Sequence, residues 1–230
     1  MNVLAIETST TACCLGLRLG DQTTEQFVQL QRTHSREILP RIAALLADTG
    51  VELSALDLLV YGKGPGSFTG LRIATGVVQG LGYGLDIPVV GISTLACCAQ
   101  GRYREFGDTQ IVVAETARAD EVFFGAYSVV NGHVQPVLAD GMYLASELPA
   151  LQAGRWVGIG SAWHQRPEME LALHNNMAAI QLEIYPRAPD LLDLGILEWQ
   201  AGRAMEALQA TPEYLREQVA LRPKGPIPSK

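Results

Sequence analysis

Short apolar runs broken by turn residues open the chain, and the period of the hydrophobic positions predicts the elements. Val3 to Ile6 form a strand-like run that ends at Glu7 and a string of hydroxyls, Thr8 to Thr11. Apolar positions resume from Ala12 to Leu19, Gly20 and Asp21 supply hairpin-turn chemistry, and Glu25 to Leu30 reads as a third strand. The spacing then changes to that of a helix. Ile38, Ile42, Leu45 and Leu46 share one face behind a cap at Thr33 or His34, and Gly50 closes it. Pro40 falls inside this segment and predicts a kink or a later start. A strand at 58–61, a glycine-rich turn, a helix to Leu85, a strand at 87–91 and a helix from Ser93 follow. The order is β-β-β-α-β-α-β-α.

The second half reads as a looser copy. Ile111 to Ala114 and Val122 to Val129 read as strands, and Asn131 with Gly132 marks a hairpin before Val134 to Leu138. Ser146 to Gln152 reads as a short helix, Trp156 to Ile159 as a strand, and Pro189 to Leu208 as a long helix. The pattern predicts a two-lobed α/β fold, with lobes of residues 1–104 and 105–230 side by side across a cleft.

Hydrophobic residues at 48% and charged residues at 18% fit a folded chain and exclude a disordered one. A net charge of −7 opposes independent binding to nucleic acid, whose phosphates reward basic surfaces. Any RNA contact is therefore expected to be indirect. The four cysteines form two adjacent pairs, Cys13 with Cys14 and Cys97 with Cys98, neither at zinc-site or redox-motif spacing. Free thiols, no leader-like start and no apolar run of membrane-helix length give the expectation of a cytoplasmic protein.

The stretch from Gly62 to Arg72 carries the most chemical information. It turns from an apolar strand into a helix through Gly62, Gly64, Pro65 and Gly66, an arrangement that aims backbone N–H groups at an anion or a partner. Lys63 precedes the turn instead of closing it, so this is not the usual phosphate loop. Ser67 lacks the Gly-x-Ser-x-Gly elbow of a nucleophile. Beyond it, Gly76, Gly80 and Gly84 recur every four residues and make a smooth helix face, although each mid-helix glycine costs up to ~1 kcal/mol relative to alanine.

Ala5 to Ser9, His34 to Pro40, Gly62 to Arg72 and Tyr214 to Arg216 together resemble the TsaB (YeaZ) family. The element order resembles the wider fold shared by actin, Hsp70 and the sugar kinases. The resemblance implies a bacterial protein needed to form N6-threonylcarbamoyladenosine in tRNAs that read codons beginning with A. It implies binding to a TsaD-type transferase and a TsaE-type ATPase, with tRNA reached only through them. It also implies a non-catalytic subunit without a metal of its own, and ATP or ADP with magnesium held weakly or shared within the complex. The same partner surface would form a homodimer when the partner is absent.

On this resemblance the partner interface comprises His34, Ile38 and Ile42 on one helix, with Gly70, Ile73, Gly76, Val77 and Gly80 on the glycine-bearing one. Packing within the chain competes for the glycine face, which would lie against the sheet, and for Ile38 and Ile42. Glu7, Thr8, Ser9 and Thr10 form the candidate degenerate nucleotide site. Glu7 stands where the family has aspartate, Thr116 where related sequences have another, and Glu115 beside it is expected on the opposite strand face. Gly158 to Ser161 reads as a worn adenosine loop or as a strand-end turn. Laid on the transferase's metal motif, Thr94 and Cys98 stand in place of two histidines, and a threonine hydroxyl is a poor transition-metal ligand. The rival reading is an independent ATP-dependent kinase or metallopeptidase. The four histidines, His34, His133, His164 and His174, include no pair four residues apart to hold a peptidase metal. Residues 221–230, proline-rich and basic, read as a solvated tail.

Overall fold

The computed structural model describes residues 1–30, 33–165, 169, 173, 177–182 and 184–215. His174, Arg216 and the basic tail at 221–230 lie outside the described residues.

Two five-stranded sheets carry the fold. The first contains β1 (Asn2–Glu7), β2 (Ala12–Leu19), β3 (Gln22–Gln29), β4 (Leu58–Gly64) and β5 (Val89–Ser93) in the order β3-β2-β1-β4-β5. The second contains β6 (Gln110–Arg118), β7 (Glu121–Val130), β8 (His133–Leu144), β9 (Trp156–Ile159) and β10 (Met177–Gln181) in the order β10-β9-β6-β7-β8. In each, an antiparallel three-stranded meander extends from its first strand into two parallel strands. The same topology therefore occurs twice in one chain, as expected from the repeated order.

Alternation along β1 sorts the layers. Val3 and Ala5 enter a core with Leu58, Val60, Leu95, Ile111 and Leu191 that is shared by both sheets. Leu4 and Ile6 face the other way, into a core with Ile38, Ile42, Leu45 and Val78 under α1 (His34–Thr49) and α2 (Phe68–Leu85). A strand buried on both faces has no polar side to show, which is why β1 reads as one apolar run. A third core beneath the second sheet is built on Phe124, Trp156 and Trp163. α3 (Thr94–Phe106) and α5 (Ala188–Gln200) contribute to the shared core, while α4 (Ala162–Gln165) is a single turn. α5 packs on β1, β2, β4, β5 and α3, so the end of the chain returns to the first sheet.

Local chemistry explains where the elements differ from expectation. α1 starts at His34 and passes through Pro40 without a delayed start. Residues 146–152 form no helix, because Pro149 disfavours helical geometry at Leu148. Leu148 and Leu151 pack on the third core from an irregular segment instead. The long helix ends at Gln200, where Gly202 adopts φ 74°, and a separate 3-10 turn covers Ala207–Gln209. β8 continues to Leu144, and β10 carries no clear strand signal in the sequence. No helix among the described residues is long and apolar enough to cross a membrane.

Candidate functional site in an inter-sheet cleft and on a glycine-faced helix

The glycine turn is shaped by what it lies against. A Cβ on Gly62 would sit 1.8 Å from Glu7 Oε2, one on Gly66 2.6 Å from the Ser9 carbonyl, and one on Gly70 1.9 Å from the Thr8 carbonyl. Only glycine lets the β4–α2 turn press onto the hydroxyl loop after β1. The Ser67 N–H donates to the Ser9 carbonyl at 2.7 Å, and the Thr8 hydroxyl donates to the Gly70 carbonyl at 2.8 Å. The Gly64–Pro65 bond within the turn is cis. On its far side the Glu213 N–H donates to the Lys63 carbonyl at 2.7 Å, and Lys63 Nζ pairs with Glu213 at 2.8 Å. Arg72 Nε donates to the Tyr214 hydroxyl at 3.0 Å, and the Tyr214 ring lies 5.3 Å from Phe68. Two separate sequence signatures thus form one contact.

Glu7 is 1% exposed. Its Oε1 accepts the Ser9 N–H at 2.5 Å and its Oε2 the Thr94 hydroxyl at 3.3 Å. Burial pushes its carboxyl above the ordinary range, against the opposing pull of the Ser9 and Thr94 hydrogen bonds. Above it, a cavity of about 920 Å³ opens between the sheets. Thr8, Ser9 and Thr10 line this space, but Glu7 does not. Glu115 lines it too, contrary to the expectation that it faces away, and the strand register shifts just beyond it, between Thr116 and Arg118. Burial pushes the Glu115 carboxyl up, while the hydroxyl and N–H of Ser161 hydrogen-bond to it, the hydroxyl at 2.5 Å. A Cβ on Gly160, whose φ is 113°, would fall 2.3 Å from the Ala114 carbonyl, so the strand-end turn before Ser161 needs glycine there, while Gly158 leaves room for the Trp163 and Met177 side chains. Among the described residues no group of three His, Cys, Asp or Glu side chains is placed to hold a metal ion.

The interface candidates separate into buried and exposed sets. Ile38 and Ile42, at 2% and 3% exposure, belong to the chain's own core. Gly70 is buried against Thr8, and His34 lines the cleft. These four are not available as open surface. Ile73 and Val77 are half-buried, whereas Gly76 and Gly80 are exposed. An added Cβ at Gly76, Gly80 or Gly84 would meet nothing within 4 Å.

The model of the family described as TsaD, tRNA N6-adenosine threonylcarbamoyltransferase, matches residues 28–186. The chain is 33% identical to the tRNA threonylcarbamoyladenosine biosynthesis protein TsaB of Escherichia coli strain K12, over 96% of each chain. Identity to the TsaB of Haemophilus influenzae is 32%, over 95% of each. A solved structure described as YeaZ from Pseudomonas aeruginosa matches with a TM-score of 0.87 at 35% identity, covering 93% of this chain and 99% of that one. The chain belongs to the TsaB family.

Membership places it in tRNA threonylcarbamoyladenosine biosynthesis. In this TsaB-family chain Thr94 and Cys98 both line the cleft wall. The Thr94 hydroxyl lies 3.1 Å from Ser9 Oγ, and burial holds the Cys98 thiol well above its ordinary range, hence protonated. Sequence reasoning missed Tyr83, which is 71% exposed between Gly82 and Gly84, where an aromatic amid glycines was the available signal. It also missed the Glu115–Ser161 pair, whose partners lie 46 residues apart and leave no local pattern.

Proposed function

We propose that this TsaB-family chain is a non-catalytic subunit that binds a TsaD-type transferase and activates it together with a TsaE-type ATPase, reaching tRNA only through them. The observation that carries this reading is the open face of α2. Gly82 of that helix is explained by a neighbour within the chain, since its Cβ would meet that of Ala207 at 2.7 Å, but Gly76, Gly80 and Gly84 have no such neighbour. Each interior glycine costs about 1 kcal/mol of helix stability, and the isolated chain gains no packing in return. A face without side chains lets a second helix approach closely, and half-buried Ile73 and Val77 border it with apolar surface. The first lobe, residues 1–104, supplies this surface, and the same face would self-associate when the partner is absent.

The match to the TsaD model supports a partner of related architecture. A non-catalytic role is supported by the resemblance, in which Thr94 and a protonated Cys98 would replace the transferase's metal-binding histidines. ATP or ADP with magnesium would be shared with the partner, since Glu7 is sealed beneath Ser9 and Thr94. A reducing, cytoplasmic setting is supported by four buried free thiols.

Reconstitution of tRNA threonylcarbamoylation from TsaD-type, TsaE-type and synthase components tests the proposal. Modification is expected only with this chain present, and to be lost with a Gly76→Glu, Gly80→Glu variant whose unfolding temperature is unchanged or higher. Equal modification without the chain, or steady ATP turnover by the chain alone, would overturn it in favour of an independent enzyme.

A further inference from the structure

A second groove, of about 630 Å³, lies at the C-terminal end of α2 and shares no lining residue with the cleft between the sheets. Tyr83 and Leu208 line it, and at 71% and 66% exposure they are the most open large apolar side chains among the described residues. Ile87 and Pro88 add apolar surface. Asp86 and Glu206 add two carboxylates, and no lysine, arginine or histidine lines the groove among the described residues. Its two walls are tied together by paired backbone hydrogen bonds between Val89 and Met205, both at 2.9 Å, so the groove is formed before anything enters it.

The route of the chain brings a suitable occupant within reach. Ala207 packs at Gly82 near the end of α2, and the Tyr214 hydroxyl accepts from Arg72 Nε near its start. Seven residues thus run back along ten residues of helix, a distance of about 15 Å at 1.5 Å per residue. The seven residues from Leu215 to Arg222 can span up to about 23–25 Å, enough to return to the groove.

The sequence that follows complements the lining. Residues 221–230 carry Arg222, Lys224 and Lys230 without an acid, against the two unpaired carboxylates. Pro223, Pro226 and Pro228 lie among them, the first two at the P-x-x-P spacing that recognition grooves with an aromatic wall accept. Proline has no N–H to satisfy, so such a segment docks through its ring faces on apolar side chains.

We propose that residues 221–228 dock in this groove of their own chain, with prolines against Tyr83 and Leu208 and with Arg222 and Lys224 toward Asp86 and Glu206. This intramolecular contact does not depend on the partner reading.

Paramagnetic NMR of the full chain tests the proposal. A nitroxide on a Ser229→Cys variant labels the tail selectively, because the four native thiols are buried. Loss of the amide signals of residues 82–87 and 204–208 is expected at low salt, with recovery at high salt. Adding Asp86→Asn and Glu206→Gln removes both charges, while asparagine tolerates the left-handed backbone at 86 and glutamine keeps the capping box. Signals in the groove should recover in that variant while the rest of the spectrum is unchanged. Intact groove signals in the labelled parent would overturn the proposal, and so would a loss indifferent to the two charges. A mixture of isotope-labelled, untagged chain with tagged, unlabelled chain should show no loss. Loss in that mixture would assign the groove to a second copy and overturn the intramolecular contact.

Discussion

Replacing Gly76 and Gly80 with alanine should move stability and partner binding in opposite directions. Both positions lie inside an 18-residue helix, and an added Cβ meets no atom within 4 Å at either. The substitutions therefore carry the propensity gain without a clash. At 0.8–1.0 kcal/mol for each glycine, the pair should stabilise the isolated chain by about 2 kcal/mol. For a protein of this size that corresponds to a rise in unfolding temperature of roughly 4–8 °C. Calorimetry at several protein concentrations would measure it and separate any contribution from self-association. Gly82→Ala is the contrasting variant, because its Cβ would lie 2.7 Å from Ala207 Cβ and 3.0 Å from Val89 Cγ1, and it should lower the temperature. Titration into a TsaD-type transferase gives the second reading. Two methyl groups on a closely approached face should weaken binding about tenfold or more, that is about 1.4 kcal/mol. A fall in unfolding temperature would refute the assignment of these glycines to open space. A rise with unchanged affinity would refute the interface.

Other substitutions test the glycine turn and the buried charges. Gly70→Ala forces a methyl to 1.9 Å from the Thr8 carbonyl, and overpacking against backbone should cost at least about 1–3 kcal/mol in denaturant unfolding. Glu7→Gln tests a carboxyl whose folded pKa lies above its ordinary 4.5 because of burial. The folded state binds that proton more readily, so the parent loses stability as pH rises from 4.5 through the folded value. The variant should therefore gain relative to the parent across that window in pH-dependent melts, and a parallel pair of curves would contradict this. Glu25 is pushed up by burial but more strongly pulled down by Arg187, Cys14 and the Ala188 N–H, so its folded pKa lies below 4.5. Its contribution is present at neutral pH and lost as pH falls below 4.5 through the folded value. Arg187→Ala should cost about 1–3 kcal/mol at pH 7, less than a fully buried pair because Arg187 is partly exposed, and flatten that acid limb.

Much of the fold was legible because strands buried on two faces, such as β1 and β4, have nothing to confuse their apolar runs. The hairpin turns at Gly20 and Asn131 and the left-handed stop at Gly50 require particular residue types and announced themselves. The helix misread at 146–152 shows the opposite case. Leu148 and Leu151 carry helical spacing, but the pattern reports only that two side chains are buried, and Pro149 decides the backbone. The site was less legible than the fold. Gly62, Gly66 and Gly70 stood out, yet their reason is contact with a loop more than fifty residues earlier, which no local window contains. The same holds for Ile38 and Ile42: helical periodicity finds a buried face without saying whether the chain itself or a partner covers it.

The return of α5 to the first sheet has a consequence for synthesis. Leu191, Leu192 and Leu194 enter the same core as Val3, Ala5 and Val60, and Met205 bridges to Val89 at the sheet edge. The first sheet is therefore translated long before the helix that covers its inner face. At 5–20 residues per second, roughly 5–20 s separate the appearance of residue 104 from that of residue 200 on the ribosome. During that interval an apolar sheet face stands without its cover. A nascent chain of this kind is expected to depend on holding factors, and a gene split between the halves to yield a first fragment that aggregates unless the second is supplied with it.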